Sequence, residues 1–139
     1  MPTFSAITTG PSRRIDPWGS GQYGAGRGHR THHGLDIVAK PGEAIRSPID
    51  GDVVREAHPY ANEPRFSGVV IRGSGDWDGY EVKLFYVHGL FSGAAKSGQI
   101  LGHAQDLTRR YPGITNHVHL EVRQRGRELP PGDLFGICF

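Results

Sequence analysis

The sequence has one cysteine, Cys138, and this excludes two sources of stability. No disulfide can close within the chain, and no zinc site can be built on thiolates. No apolar run reaches membrane-spanning length. Met1 to Gly10 has neither a basic start nor an apolar stretch of signal-peptide length, so the expectation is either a trimmed chain or delivery by a route that needs no leader. Lysines and arginines do not gather into a dense patch with interleaved aromatics, which argues against nucleic acid as a partner. The formal net charge is only +2. No segment sustains a helical period, and no serine has the Asp and His spacing of a hydrolase triad. A His-Glu-X-X-His stretch is also missing, and with it the glutamate base of that class of metal site.

What is present is glycine, proline and histidine. The 139 residues include 21 glycines and 10 prolines, a composition of turns and short strands. The length suits one domain with a real core. Residues 1–28 read as an irregular N-terminal arm, whose Trp18 to Tyr23 stretch either lies over the domain or forms part of a groove wall. Residues 29–139 read as the folded domain. Strands are expected at Leu35 to Ala39, Glu43 to Ile49, Asp52–Ala57 and Gly68 to Arg72. Further strands are expected at Tyr80 to His88, as a short strand led into by a turn at Lys96 to Gly102, and at His117 to Gln124. Asp50-Gly51 reads as a hairpin turn between the second and third of these. In Tyr80 to His88, alternation puts Val82, Leu84, Tyr86 and His88 on one face. The predicted fold is all-β: mostly antiparallel sheets in a compact sandwich or open barrel, with a loop-walled groove and few or no helices.

The eight histidines raise the question of a metal. Zinc accepts imidazole nitrogens and carboxylate oxygens, and a catalytic site keeps three protein ligands and leaves a fourth position for water. His32, Asp36 and one histidine of His117-Val118-His119 would supply such a set. On an extended strand His32 and Asp36 would lie about 13 Å apart, so the chain must turn between them, and Gly34 permits the turn. Asp36 opens an apolar strand, where a lone carboxylate is costly without a partner. In the closing strand His117, His119, Glu121 and Arg123 share one face, while Val118, Leu120 and Val122 turn to the core. Glu121 could orient a ligand, though a solvated strand residue or an arginine partner is the plainer reading. His88 and the spare member of the His117/His119 pair are suited to proton transfer or oxyanion stabilisation. His29, His33, His58 and His103 read as surface residues, and Cys138 as packed or incidental.

In these stretches the chain resembles the lysostaphin/LytM-type zinc endopeptidases, which cut peptidoglycan cross-bridges or stem peptides. His32-His33-Gly34-Leu35-Asp36 is similar to that family's first ligand motif, and Gly42 to Val53 to the hairpin that follows it. Phe85-Tyr86-Val87-His88-Gly89-Leu90 resembles its histidine-bearing strand, and His117-Val118-His119-Leu120-Glu121 its closing motif. The likeness covers roughly residues 27–135. Within the family, Gly21-Gln22-Tyr23, His58 to Asn62 and Tyr111 to Ile114 resemble the chemotaxin-like members, vertebrate relatives that bind zinc but lack the catalytic apparatus. Here the chain departs from those members in having a single cysteine and in retaining His88.

The resemblance implies zinc ligands His32, Asp36 and His119 and a catalytic pair His88 and His117. It implies a groove walled by Tyr23, Tyr60, Asn62 and Tyr111. The expected function is a Zn2+-dependent endopeptidase acting on peptidoglycan peptide at the bacterial cell wall or periplasm, delivered by a secretion system or phage particle. A delivery or immunity protein is a possible partner, and the expected state is a monomer without a membrane span. The alternative is a non-catalytic, zinc-stabilised binding module.

Overall fold

The computed structural model describes residues 3–10, 26–27, 30–31, 34–89 and 92–129. Twelve strands follow in order among these residues: β1 (Gly26–Arg27), β2 (Arg30–Thr31), β3 (Leu35–Val38), β4 (Ala44–Arg46), β5 (Gly51–Ala57) and β6 (Gly68–Gly73), then β7 (Tyr80–Phe85), β8 (Val87–Gly89), β9 (Gly93–Ala95), β10 (Ile100–Ala104), β11 (His117–Gln124) and β12 (Arg127–Leu129). One 3-10 turn, Gly75–Trp77, is the only helical element among the described residues. No helix there is long and apolar enough to cross a membrane.

All pairings are antiparallel. The large sheet runs β12-β11-β7-β6-β5-β9, and β3 joins it on the β12 flank of β11. A second sheet runs β4-β10-β8, and β1 pairs with β2 alone. The large sheet stays open, ending at β12 and β9. Both sheets feed one core: Ile45, Val87 and Leu101 come from the smaller, and Ile71, Val82, Leu84, Val118, Leu120 and Val122 from the larger. Residues 3–10 contribute too, since Phe4 and Ile7 are buried and the Phe4 ring lies 5.0 Å from that of Trp77.

Two strand assignments differ from the sequence reading. Asp50-Gly51 is not a hairpin turn, because β4 and β5 never pair: β4 lies on β10, while β5 lies between β6 and β9. Gly51 is needed for proximity instead, since a Cβ there would sit 2.3 Å from the Arg72 carbonyl oxygen.

Tyr80 to His88 is also not one strand. Tyr86 has φ +68, a left-handed conformation that is a genuine outlier for a bulky residue. It is held there by backbone bonds: the Tyr86 and Val87 N–H groups both donate to the Ser67 carbonyl (2.7 and 3.0 Å), and the Gln105 N–H donates to the Tyr86 carbonyl (2.9 Å). The break resets the alternation. Tyr80, Val82 and Leu84 are buried in β7, but in β8 the buried residue is Val87, and His88 is exposed.

Candidate active site

The strand β11 carries the site because its alternation is strict. Val118, Leu120 and Val122 have no exposed surface, and His117, His119 and Glu121 lie on the opposite face. Register then selects the neighbours. His119 lies directly opposite Asp36 on β3 and, on its other side, opposite Phe85 on β7. Asp36, His119 and Phe85 therefore form one rung across three strands. The contacts follow as cross-strand pairs. His119 Nδ1 is 2.9 Å from Asp36 Oδ1, and the Phe85 ring stacks on the imidazole at 5.7 Å with 16° between planes.

Gly34 closes the rung from the side. A Cβ there would lie 2.7 Å from His119 Cε1 and 2.4 Å from the Leu120 carbonyl oxygen, so only a bare backbone fits against the imidazole. Its φ is not positive, so it serves here by close approach and not by an unusual dihedral.

The hydrogen bonds fix the protons. His117 Nδ1 is 2.9 Å from the Thr115 carbonyl, which only accepts, so Nδ1 carries the proton. In a neutral ring His117 Nε2 is then an acceptor, yet it lies 3.4 Å from Asp36 Oδ2, itself an acceptor. His119 repeats the pattern. Its Nε2 donates to Glu121 Oε2 at 2.9 Å, which turns Nδ1 and its lone pair toward Asp36. Acceptors facing acceptors around a carboxylate that is 2% exposed require positive charge at that point. In the metal-free chain a proton supplies it. Burial opposes a charged His119, but its bonds to Asp36 and Glu121 outweigh burial and push its pKa up to about 9. The His119 bond holds Glu121 below the usual carboxylate range. This donor set of imidazole nitrogens and carboxylate oxygens fits a divalent zinc ion. Among the described residues no group of three His, Cys, Asp or Glu completes a metal site, and His32, the further ligand expected from sequence, lies outside them.

Of the other residues expected at the site, Tyr23 also lies outside the described residues. His88 is exposed on β8, and its side chain makes no hydrogen bond or ring contact among the described residues. Asn62 is exposed in the 58–67 loop. Tyr60 and Tyr111 come together: the Tyr60 phenol bonds both the Tyr111 phenol and the Tyr86 phenol, the latter at 2.8 Å. The Tyr86 ring meets His117 edge-on at 5.5 Å, which joins this wall to the site floor. Burial and the neighbouring phenols push the Tyr60 pKa up, and burial pushes that of Tyr86 up to about 12, so both stay protonated donors. Sequence reasoning missed Phe85, Tyr86 and Arg110. It weighed Glu121 but favoured a solvated residue or an arginine partner, whereas the carboxylate bonds His119.

No family model matches the chain. Several solved structures are similar to it, three of them as follows. Helicobacter pylori Csd3 has TM-score 0.68 and 23% identity over 99% of this chain and 34% of that one. The catalytic domain of the prophage-encoded M23 protein EnpA from Enterococcus faecalis, solved as a point mutant, has TM-score 0.62 and 21% identity over 96% and 98%. A zinc-containing peptidase from Vibrio cholerae has TM-score 0.54 and 23% identity over 92% and 37%. The chain thus spans about a third of the Csd3 and Vibrio chains and nearly all of the EnpA domain. These likenesses define the fold as the one M23-type peptidases share with lysostaphin. Mouse leukocyte cell-derived chemotaxin-2 is 36% identical over 111 residues, covering 78% of this chain and 71% of the relative. The chain belongs to the leukocyte cell-derived chemotaxin-2 family.

Proposed function

We propose that the chain is a zinc-dependent endopeptidase that hydrolyses peptide bonds of bacterial peptidoglycan. The observation that carries this reading is the set of acceptors around Asp36, with His119 Nδ1 at 2.9 Å and His117 Nε2 at 3.4 Å. Asp36 and His119, with His32, are the proposed ligands. Bound zinc would polarise the scissile carbonyl and lower the pKa of a coordinated water. Glu121 holds the His119 ring with Nδ1 turned inward. His117, its Nδ1–H fixed on the Thr115 carbonyl, offers Nε2 as the proton acceptor for the attacking water. His88 is the proposed second imidazole, on the exposed face of β8.

Zinc in one structural neighbour and peptidase folds in others support the reading. Its site of action would be the cell wall. The test is release of soluble fragments from purified walls. Wild type should release them, and His117→Ala should lose at least about a hundredfold in rate with zinc content unchanged. Equal release by both proteins would sink the assignment.

Two observations favour a second reading, a zinc-stabilised binding module. The chain belongs to the chemotaxin-2 family, and His88 makes no contact with the Asp36 cluster among the described residues. If wild type binds zinc but releases nothing from walls of several chemotypes, this reading replaces the first.

A further inference from the structure

We infer that Arg110 reads a carboxylate on the peptide lying along the groove beside His117, and so sets which peptides the site accepts. The class of ligand rests on the peptidase reading, and the role of Arg110 rests on its surroundings. Its guanidinium lies 4.0 Å above the Tyr60 ring and 5.4 Å from that of Tyr111. Nε donates to the Tyr111 phenol at 3.0 Å, and Nη1 donates to Glu63 Oε2 at 2.5 Å. A guanidinium has five N–H donors in a fixed plane. Two are used here, and Nη2 has no acceptor among the described residues. The side chain is one-third exposed.

Charge around it is positive. Glu63 is shared, because its other oxygen accepts from Arg65 at 3.2 Å. One carboxylate therefore faces two guanidiniums. Asp106, the other anion of these loops, accepts from the Thr108 amide and hydroxyl at 2.9 and 2.6 Å.

The group is also rigid and correctly located. Tyr60 under the guanidinium bonds Tyr86, and Tyr86 meets His117 at 5.5 Å. An extended peptide advances about 3.3 Å per residue. A strand running from the reacting carbonyl along this wall reaches Arg110 within a few residues. A stacked, braced and planar cation loses little freedom on meeting a carboxylate, which it matches as a fork. The carboxylate could be a peptide C-terminus or an acidic side chain.

The test measures binding of wall-derived stem peptides to the full, zinc-loaded chain by titration calorimetry. Each peptide is prepared with its terminal carboxylate free or amidated, and with its acidic side chain free or amidated. Wild type should bind one of the two carboxylate forms about tenfold more tightly than its amide, and the arm that discriminates identifies the source. Arg110→Gln should bind the two forms equally, while Arg109→Gln should keep the preference. Thermal melts confirm that both variants fold. The inference is overturned if wild type shows no preference, if it binds neither form at millimolar peptide, if Arg110→Gln keeps the preference, or if Arg109→Gln loses it equally. Wall cleavage abolished by His117→Ala, together with no preference, would remove the role of Arg110 and leave the peptidase. A preference without cleavage would do the reverse.

Discussion

Asp36 and His119 meet because strand register sets them opposite one another, whereas Arg110 and Glu63 meet because two loops are tied by their own side chains. The floor of the site is thus part of the sheet. Each member stands on backbone bonds shared with the core, and moving one would slip a strand. The wall has no ladder beneath it. Tyr60, Tyr111 and Arg110 hold one another through phenols and a guanidinium, half in solvent. Substitutions of the proposed metal ligands in the floor should therefore cost folding and metal together. Those in the wall should change recognition and leave both nearly intact.

The largest effect should come from Asp36→Ala. It removes the carboxylate that both imidazoles face and breaks the buried pair between Asp36 and His119. Breaking a buried pair in this way costs about 3–5 kcal/mol. Thermal denaturation should show a much lower Tm, and elemental analysis should show zinc lost. Full zinc occupancy in this variant would remove Asp36 from the ligand set and undo the distinction between floor and wall.

Next is the response of the metal-free protein to pH. Folding raises the His119 pKa from 6.5 to about 9, so the folded chain holds this proton more tightly than the unfolded one. The resulting stability is fully present below about pH 6.5 and lost as pH rises through about 9. Glu121 acts in the opposite sense, since its lowered pKa gives stability above about 4.5 that is lost as pH falls. After chelation, Tm should drop between about pH 6 and about pH 10 by on the order of 5 °C or more. His119→Gln should flatten that slope. A flat profile in wild type would show that no proton is held between the two carboxylates.

Glu121→Gln tests the edge of the floor. An amide can still accept from His119 Nε2, but without charge, so the fold should stay and zinc affinity should fall about 10- to 100-fold. Competition with a chelator of known affinity would measure this. An unchanged affinity would make Glu121 a plain surface residue, the reading its sequence context first suggested.

How much of this could be read from the sequence follows the same division. Strict alternation in His117 to Gln124 announced both the core face and the site face, because a strand offers only two sides. The rung itself was hidden, since nothing local says that Phe85 will lie opposite His119. That is a property of pairing between distant segments. The break at Tyr86 was hidden for a different reason. Its left-handed φ is imposed by Ser67 and Gln105, so the alternation of Tyr80 to His88 carried straight through it and put His88 on the wrong face. Asp50-Gly51 has the composition of a hairpin turn, yet the flanking strands belong to different sheets. Arg110 stands in a loop segment without periodicity, where no pattern marks a residue that will stack on Tyr60.

Tyr60→Phe should have the smallest effect and is the sharpest test of the wall. It keeps the ring under Arg110 and the edge contact with Phe66 at 5.9 Å, and deletes only the hydroxyl between Tyr86 and Tyr111. The loss should be about 1 kcal/mol, the net value of a typical hydrogen bond, with zinc content and wall hydrolysis close to wild type. Peptide affinity should fall more than stability, because Tyr111, which accepts from Arg110 Nε, loses the bond that joins it to the floor. If Tyr60→Phe instead removes zinc or unfolds the chain, then the phenols hold up the site itself, and floor and wall are one structure.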